Sequence, residues 1–213
     1  MDDLKTTYNR IAEDWHKDHV ADMWWVEATE KFVSLLLAGA AVFDVGCGSG
    51  VKSKYLARKG FRVIGMDLSE KMIEIARREV PEASFSVGDM SALETLHEMF
   101  DGVFAQASLL HIPKASAAKV VLGFAKKLKP GGYVYIGVKE LNPGGKEEEI
   151  RMENDYGYEY ERFFSYYTSE EIKGYMADAG MEIVYENITP SGKTRWVQVI
   201  GRLRPEHLAF SIV

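Results

Sequence analysis

A chain of 213 residues, 46% hydrophobic and 27% charged, is the size of one domain that would bury roughly 70% of the surface its unfolded form exposes. A formal net charge of −6 argues against a surface that tracks nucleic-acid phosphates. The longest apolar run (32–43) is interrupted and too short for a bilayer, and residues 1–5 lack the basic and apolar regions of a secretory signal, so a cytoplasmic protein without nucleic-acid or membrane partners is expected.

In chain order, Tyr8, Ile11, Ala12 and Trp15 fall at i, i+3, i+4 and i+7 and predict a short amphipathic helix. Trp25, Ala28, Thr29, Phe32 and Leu36 repeat the stripe in a second. Strand-like runs follow at 42–45, 62–66, 84–87, 102–105 and 133–138, each separated by a helical segment, which predicts a parallel sheet covered on both faces. Ser91 with Glu94 and Thr168 with Glu171 have capping-box spacing, and Pro113 suits a first helical turn. Lys129-Pro130-Gly131-Gly132 is expected to end the helix that carries Ala118, Val121, Leu122 and Ala125. Residues 140–167 then change character, with an acidic run at 147–149 and tyrosines at 156, 158, 160, 166 and 167, and predict an insert with local order. After a helix over Ile172, Tyr175, Met176 and Ala179, two strands (181–188 and 194–203) are joined so closely that they must form an antiparallel hairpin.

The chemistry concentrates in Val42-Phe43-Asp44-Val45-Gly46-Cys47-Gly48-Ser49-Gly50, where a strand opens into three glycines two residues apart. Such a loop is bare backbone, and the helix predicted from Val51 adds free N–H groups to it. The spacing departs from the dinucleotide fingerprint G-x-G-x-x-G, because Val51 stands where the third glycine belongs, and the phosphate-loop frame around Lys52 and Ser53 is also missing. Cys47 is read as the small residue the turn requires rather than a nucleophile, since no histidine neighbours it in sequence. Asp44, Asp67 and Asp89 recur at or just past three strand ends, so all three are expected at one crevice along the carboxyl edge of the sheet. There Asp67 could accept both hydroxyls of a ribose and Asp89 the exocyclic amine of adenine, with Leu68 and Met90 offering apolar surface to the ring. Any one of these acids alone could equally cap a helix or solvate a loop.

Together these segments resemble the class I S-adenosylmethionine-dependent methyltransferases, in particular the branch that methylates small molecules. Residues 43–50 look like the family's first motif, 65–69 its second, 88–90 its third and 101–107 its fourth, and Leu128-Lys129-Pro130-Gly131-Gly132 resembles the turn before its fifth strand. The resemblance implies a doubly wound, Rossmann-like α/β fold with a seven-stranded sheet of order 3-2-1-4-5-7-6 and an antiparallel last strand. It also implies one methyltransferase domain over 1–213, with an N-terminal helical lid (about 1–38) and a substrate-side insert (about 140–167). S-adenosyl-L-methionine is the implied cofactor, with Gly46 and Gly48 against its methionine portion, Asp67 on the ribose, Asp89 with Met90 at the adenine and Gln106 near the sulfur; Asp44, Gly50 and Leu68 complete the expected cofactor-binding set. Tyr8 and Trp15 would cover it from the lid. Methyl transfer to a small acceptor needs no metal, and it needs a general base only when the acceptor must lose a proton. His111 is the best-placed candidate, ahead of His16 and His19, while His97 and His207 are expected on the surface. Trp24, Trp25, His111, Tyr156, Tyr158 and Tyr160 are expected to enclose the acceptor. The alternatives are an NAD-dependent oxidoreductase and a cofactor-binding regulatory protein without catalysis. Neither the oligomeric state nor the methylated atom is written in the sequence.

Overall fold

A computed structural model describes residues 3–205. The chain runs α1 (Leu4–His19), α2 (Val26–Ser34), β1 (Ala41–Val45), α3 (Val51–Arg58), β2 (Arg62–Asp67), α4 (Glu70–Glu79), β3 (Ser84–Val87), β4 (Phe100–Gln106), α5 (Lys114–Ala125), β5 (Leu128–Lys139), β6 (Glu148–Glu153), β7 (Tyr160–Ser165), α6 (Ser169–Asp178), β8 (Met181–Ser191) and β9 (Thr194–Leu203). Seven strands form one sheet in the order β3-β2-β1-β4-β5-β9-β8. The first five pair in parallel, and β9 runs antiparallel to both β5 and β8. This is the doubly wound order that the family resemblance implies, with the closing hairpin supplying the reversed strand. Among the described residues no helix is long and apolar enough to cross a membrane.

Side-chain alternation divides the core between the two faces of the sheet. Phe43, Val103, Ile136 and Val138 pack with Val121 and Phe124 of α5 and Ile172 and Met176 of α6. Val42, Phe104 and Tyr135 turn the other way, onto Phe32 of α2 and Leu56 of α3. Aromatic rings tie neighbouring strands: Phe43 stacks on Phe100 at 4.8 Å, and Phe104 on Tyr135 at 4.6 Å. Local signals hold the helix starts. Asp3 accepts the Thr6 N–H at the head of α1, Ser69 accepts the Met72 N–H at α4, and Thr168 with Glu171 forms the expected capping box of α6.

Four local expectations give way. Ser91 and Glu94 do not cap an α-helix; a short 3-10 turn over Leu93–Thr95 stands there, and the Ser91 N–H is taken by Asp89 Oδ1 at 2.7 Å. Residues 129–132 do not end a helix. The helix α5 stops at Ala125, and Lys129 to Gly132 lie within β5 as a register break between the Phe100/Leu128 and Gly102/Tyr133 pairs, with Gly131 at φ 77°. Pro113 is the residue before α5, so the buried stripe becomes Ala117, Val120, Val121, Phe124 and Ala125, and Leu122 is left 40% exposed. The insert is more regular than expected: β6 and β7 pair as a separate antiparallel hairpin. That hairpin leans on α1, where Thr7 Oγ1 donates to the Glu161 carbonyl and Arg10 to that of Glu159.

Candidate active site

The carboxyl ends of β1, β2 and β4 open on a single crevice roofed by α1. Its floor is the loop after β1. Gly46 holds φ 71° and sends its N–H to the Met66 carbonyl, and a Cβ there would collide with the Ser108 side chain. At Gly48 the Trp15 ring of α1 lies 3.6 Å from the place a Cβ would take. Gly50 turns away instead. Its α-carbon faces Ala76 and Val80 of α4, so it lets two elements approach and is not part of the crevice wall expected for it.

All three aspartates reach the crevice, each in a different state. Asp67 Oδ2 accepts the Gly48 N–H and Oδ1 the Ser69 N–H, both at 2.9 Å. Burial raises its pKa, and those two bonds oppose the rise. Asp44 is 2% exposed and accepts the Ser53 hydroxyl at 2.6 Å; burial pushes its carboxyl up to about 6. Asp89 is exposed at the mouth, beside Met90. Leu68 completes that end, while Gln106 and Ser108 close the other. Gln106 accepts the Tyr135 hydroxyl, but among the described residues its amide nitrogen has no partner, and neither has Ser108 Oγ. Two buried polar atoms without partners, next to a floor that admits no side chain, fit a flat polar ligand that brings its own donors and acceptors.

His111 stands at the inner edge of the crevice. Its Nδ1 lies 2.8 Å from the Phe163 carbonyl and its Nε2 2.8 Å from the Tyr8 hydroxyl. A carbonyl only accepts, so the ring proton sits on Nδ1, and Nε2 accepts from Tyr8. Burial above all, with Arg162 and Lys139 adding their charge, drives the imidazole pKa down to about 3. Arg162 also donates to the Tyr8 oxygen at 3.3 Å and grips Glu153 through two nitrogens at 2.5 and 2.8 Å. The other histidines have different surroundings. His16 Nδ1 meets Ser49 Oγ at 2.9 Å, His19 stacks on Trp15 at 4.2 Å, His97 is exposed, and His207 lies outside the described residues. Cys47 is buried, and burial together with Asp44 and Asp67 pushes its thiol pKa up, away from nucleophilic use. Among the described residues no group of three His, Cys, Asp or Glu could hold a metal ion.

The aromatic residues expected around the acceptor are elsewhere. Trp25 is 2% exposed and packs edge-on against Tyr55 of α3, and Trp24 stacks on Trp196 of β9 at 4.1 Å. Tyr156, Tyr158 and Tyr160 gather on one another outside α1. There Tyr158 donates to Asp14, Tyr160 to Asp155, and Arg10 covers the Tyr158 ring. Phenol hydroxyls need polar partners, and the outer face of α1 and the hairpin loop provide them. Lys52 was not anticipated: it lines the crevice with its ammonium 5.5 Å from the Trp15 ring and 5.8 Å from that of Trp25, and burial lowers its pKa. Its place in the first turn after the glycine loop was the available signal.

Residues 42–132 match the family model described as a methyltransferase domain. The chain is 30% identical over 187 residues to the ubiquinone biosynthesis O-methyltransferase of Dechloromonas aromatica, a match covering 82% of this chain and 69% of that protein. It is 32% identical over 170 residues to the protein of the same name from Ralstonia nicotianae (74% and 67%), whereas the match to that of Xanthomonas oryzae covers only 46% of the relative. Among solved structures, the 1,6-didemethyltoxoflavin-N1-methyltransferase of Burkholderia thailandensis superposes with a TM-score of 0.74 at 20% identity, covering 94% of this chain and 87% of that one. The magnesium protoporphyrin IX methyltransferase of Synechocystis PCC 6803 gives 0.73 at 19%, covering 94% and 98%. These two likenesses carry the fold, and the relatives carry the lineage: with a G-x-G-x-G loop after β1, an acid at the end of β2 and the reversed β9, the chain belongs to the class I S-adenosylmethionine-dependent methyltransferases.

Proposed function

We propose that the protein methylates a hydroxyl group of a small-molecule acceptor, with S-adenosylmethionine held in the crevice. The observation that carries the choice of oxygen is His111, whose Nδ1 is committed to a carbonyl and whose Nε2 already faces a hydroxyl. The name O-methyltransferase borne by the relatives points the same way. S-adenosylmethionine supplies a methyl group on a positively charged sulfur. The chain's residues have the remaining tasks. Asp67, its oxygens fixed by Gly48 and Ser69, accepts the ribose hydroxyls. Asp89, Leu68 and Met90 receive the adenine; Gly46, Gly48 and Asp44 border the methionine portion, and Lys52 answers its carboxylate. Gln106 stands at the sulfur end, and Tyr8 and Trp15 cover the whole. His111 takes the acceptor proton when the acceptor hydroxyl replaces that of Tyr8 at Nε2. Orientation and exclusion of water do the rest, roughly 7 to 11 kcal/mol in well-aligned systems.

The chain acts as one domain in which α1 forms the lid, since it belongs to no strand-helix-strand unit, whereas α2 at the end of the expected lid (about 1–38) is fixed in the core through Phe32; residues 140–167 cover the acceptor side. His111, Ile112 and Tyr8 then wall the acceptor in place of the tryptophans and tyrosines first expected there. A net charge of −6 supports a small acceptor over nucleic acid, and a single buried thiol suits the reducing cytoplasm.

Calorimetry tests the cofactor half of the reading. S-adenosylmethionine and its demethylated product should bind, and Asp67→Ala should weaken both by about 1.5 to 3 kcal/mol. Binding of NAD in their place would sink the proposal. A screen of phenols, carboxylic acids, amines and thiols addresses the acceptor, with turnover expected for phenols.

A further inference from the structure

A second concavity lies at the same end of the sheet, between the end of β5, the turn into β9 and the insert. Five cations converge there, Lys139, Lys146, Arg151, Lys193 and Arg195, against two carboxylates. Both carboxylates are taken: Glu140 pairs with Arg195, and Glu149 approaches Arg151 at 3.9 Å and accepts the Tyr166 hydroxyl. The ammonium groups of Lys139, Lys146 and Lys193 have no carboxylate or hydrogen-bond partner among the described residues. Lys139 is the most confined. It is half-buried, with its ammonium 3.8 Å over the Phe164 ring, and burial together with the nearby Arg162 and Arg151 lowers its pKa to about 8. Lys146 and Lys193 are exposed beside it. Like charges gathered in one groove repel one another, and an anion among them relieves the repulsion and, at Lys139, the lost hydration.

We infer that this groove binds the carboxylate or phosphate group of a small molecule, held by Lys139, Lys146 and Lys193. Phe164, 1% exposed, stands between the groove and the crevice. The His111 ring is centred 5.1 Å from that of Phe164, and the Lys139 ammonium lies 3.8 Å from it, so base and cation are within about 9 Å of each other across that ring. The bound anion is therefore either the acceptor's own acid group, which rests on the reading of His111 above, or a separate anionic molecule.

Titration of the full chain with inorganic phosphate at low ionic strength, without cofactor, tests the site by calorimetry or NMR shifts. Saturable binding is expected, weakened about tenfold in Lys139→Gln and in Lys193→Gln, because a charge-assisted bond is lost in each. Affinity for S-adenosylhomocysteine should stay unchanged in both variants, which shows that fold and crevice are intact. No saturation, or binding that both variants retain, overturns the site. Since no turnover is involved, failure here leaves the crevice reading in place, and failure of cofactor binding leaves the groove in place. With an acceptor in hand, phosphate that raises its KM at constant kcat assigns the groove to the acceptor's acid group, whereas phosphate that changes kcat at saturating acceptor assigns it to a separate anion.

Discussion

At the scale of single residues, His111 makes the sharpest commitment. In the folded chain it stays neutral down to about pH 3, whereas an unfolded histidine takes a proton near 6.5. The unfolded state therefore binds more protons between those values, and stability falls as pH drops from about 6.5 towards 3. Urea unfolding at several pH values should show a shallower decline in His111→Gln than in the native chain. The same variant should lower kcat for a hydroxyl acceptor by about 10² to 10⁴, and an unchanged kcat would remove His111 from the chemistry. The acids at the strand ends were legible in the sequence because a strand-helix repeat spaces them evenly, and such spacing survives without any knowledge of packing. The Tyr8–His111 bond was not, because it joins positions 103 residues apart through a crossing of elements that no local pattern records. Trp24 and Trp25 misled for the opposite reason: their size marks them as anchors, yet what they anchor is the packing of α2 on α3 and β9.

Among elements, α1 is tied by side chains to four neighbours, one of them the insert hairpin that Thr7 and Arg10 reach. Asn9 reaches Ser69 and Glu70 at the head of α4, His16 reaches Ser49 in the glycine loop, and Tyr8 reaches His111. Most of these bonds are polar and partly exposed, the kind that opens well below the global unfolding free energy. Limited proteolysis should cut within the first 25 or so residues, more slowly once S-adenosylhomocysteine is added, and faster in Asn9→Ala. Equal rates with and without ligand would count against a lid. The amphipathic stripe gave α1 away in the sequence, since Ile11 and Ala12 are buried as the spacing requires. The hairpin of the insert was harder to read. Its β6 strand leaves Ile150 and Met152 exposed, so burial does not impose the alternation that usually betrays a strand.

For the whole molecule, stability resides in the two layers of aromatic and branched side chains on either side of β1, β4 and β5. Phe104, wholly buried between Phe32 and Tyr135, should cost about 3 to 5 kcal/mol when truncated to alanine, measured by the midpoint of urea unfolding. Met152→Ala on the exposed hairpin should shift that midpoint little, and comparable losses from the two would contradict the layered core. Alternation and the short final connection gave a parallel sheet closed by an antiparallel hairpin, and the strand order itself came from the family resemblance. The register break at 129–132 escaped because Pro-Gly-Gly ends helices and interrupts strands alike. The roof formed by Trp15 over Gly48 and Tyr8 on His111 also sets a tempo. On the proposed reading of α1 as a lid, spent cofactor leaves and fresh cofactor enters as that helix lets go, and the pace of repeated turnover is then bounded by how often α1 lifts, whatever the intrinsic reactivity of the acceptor waiting beneath it.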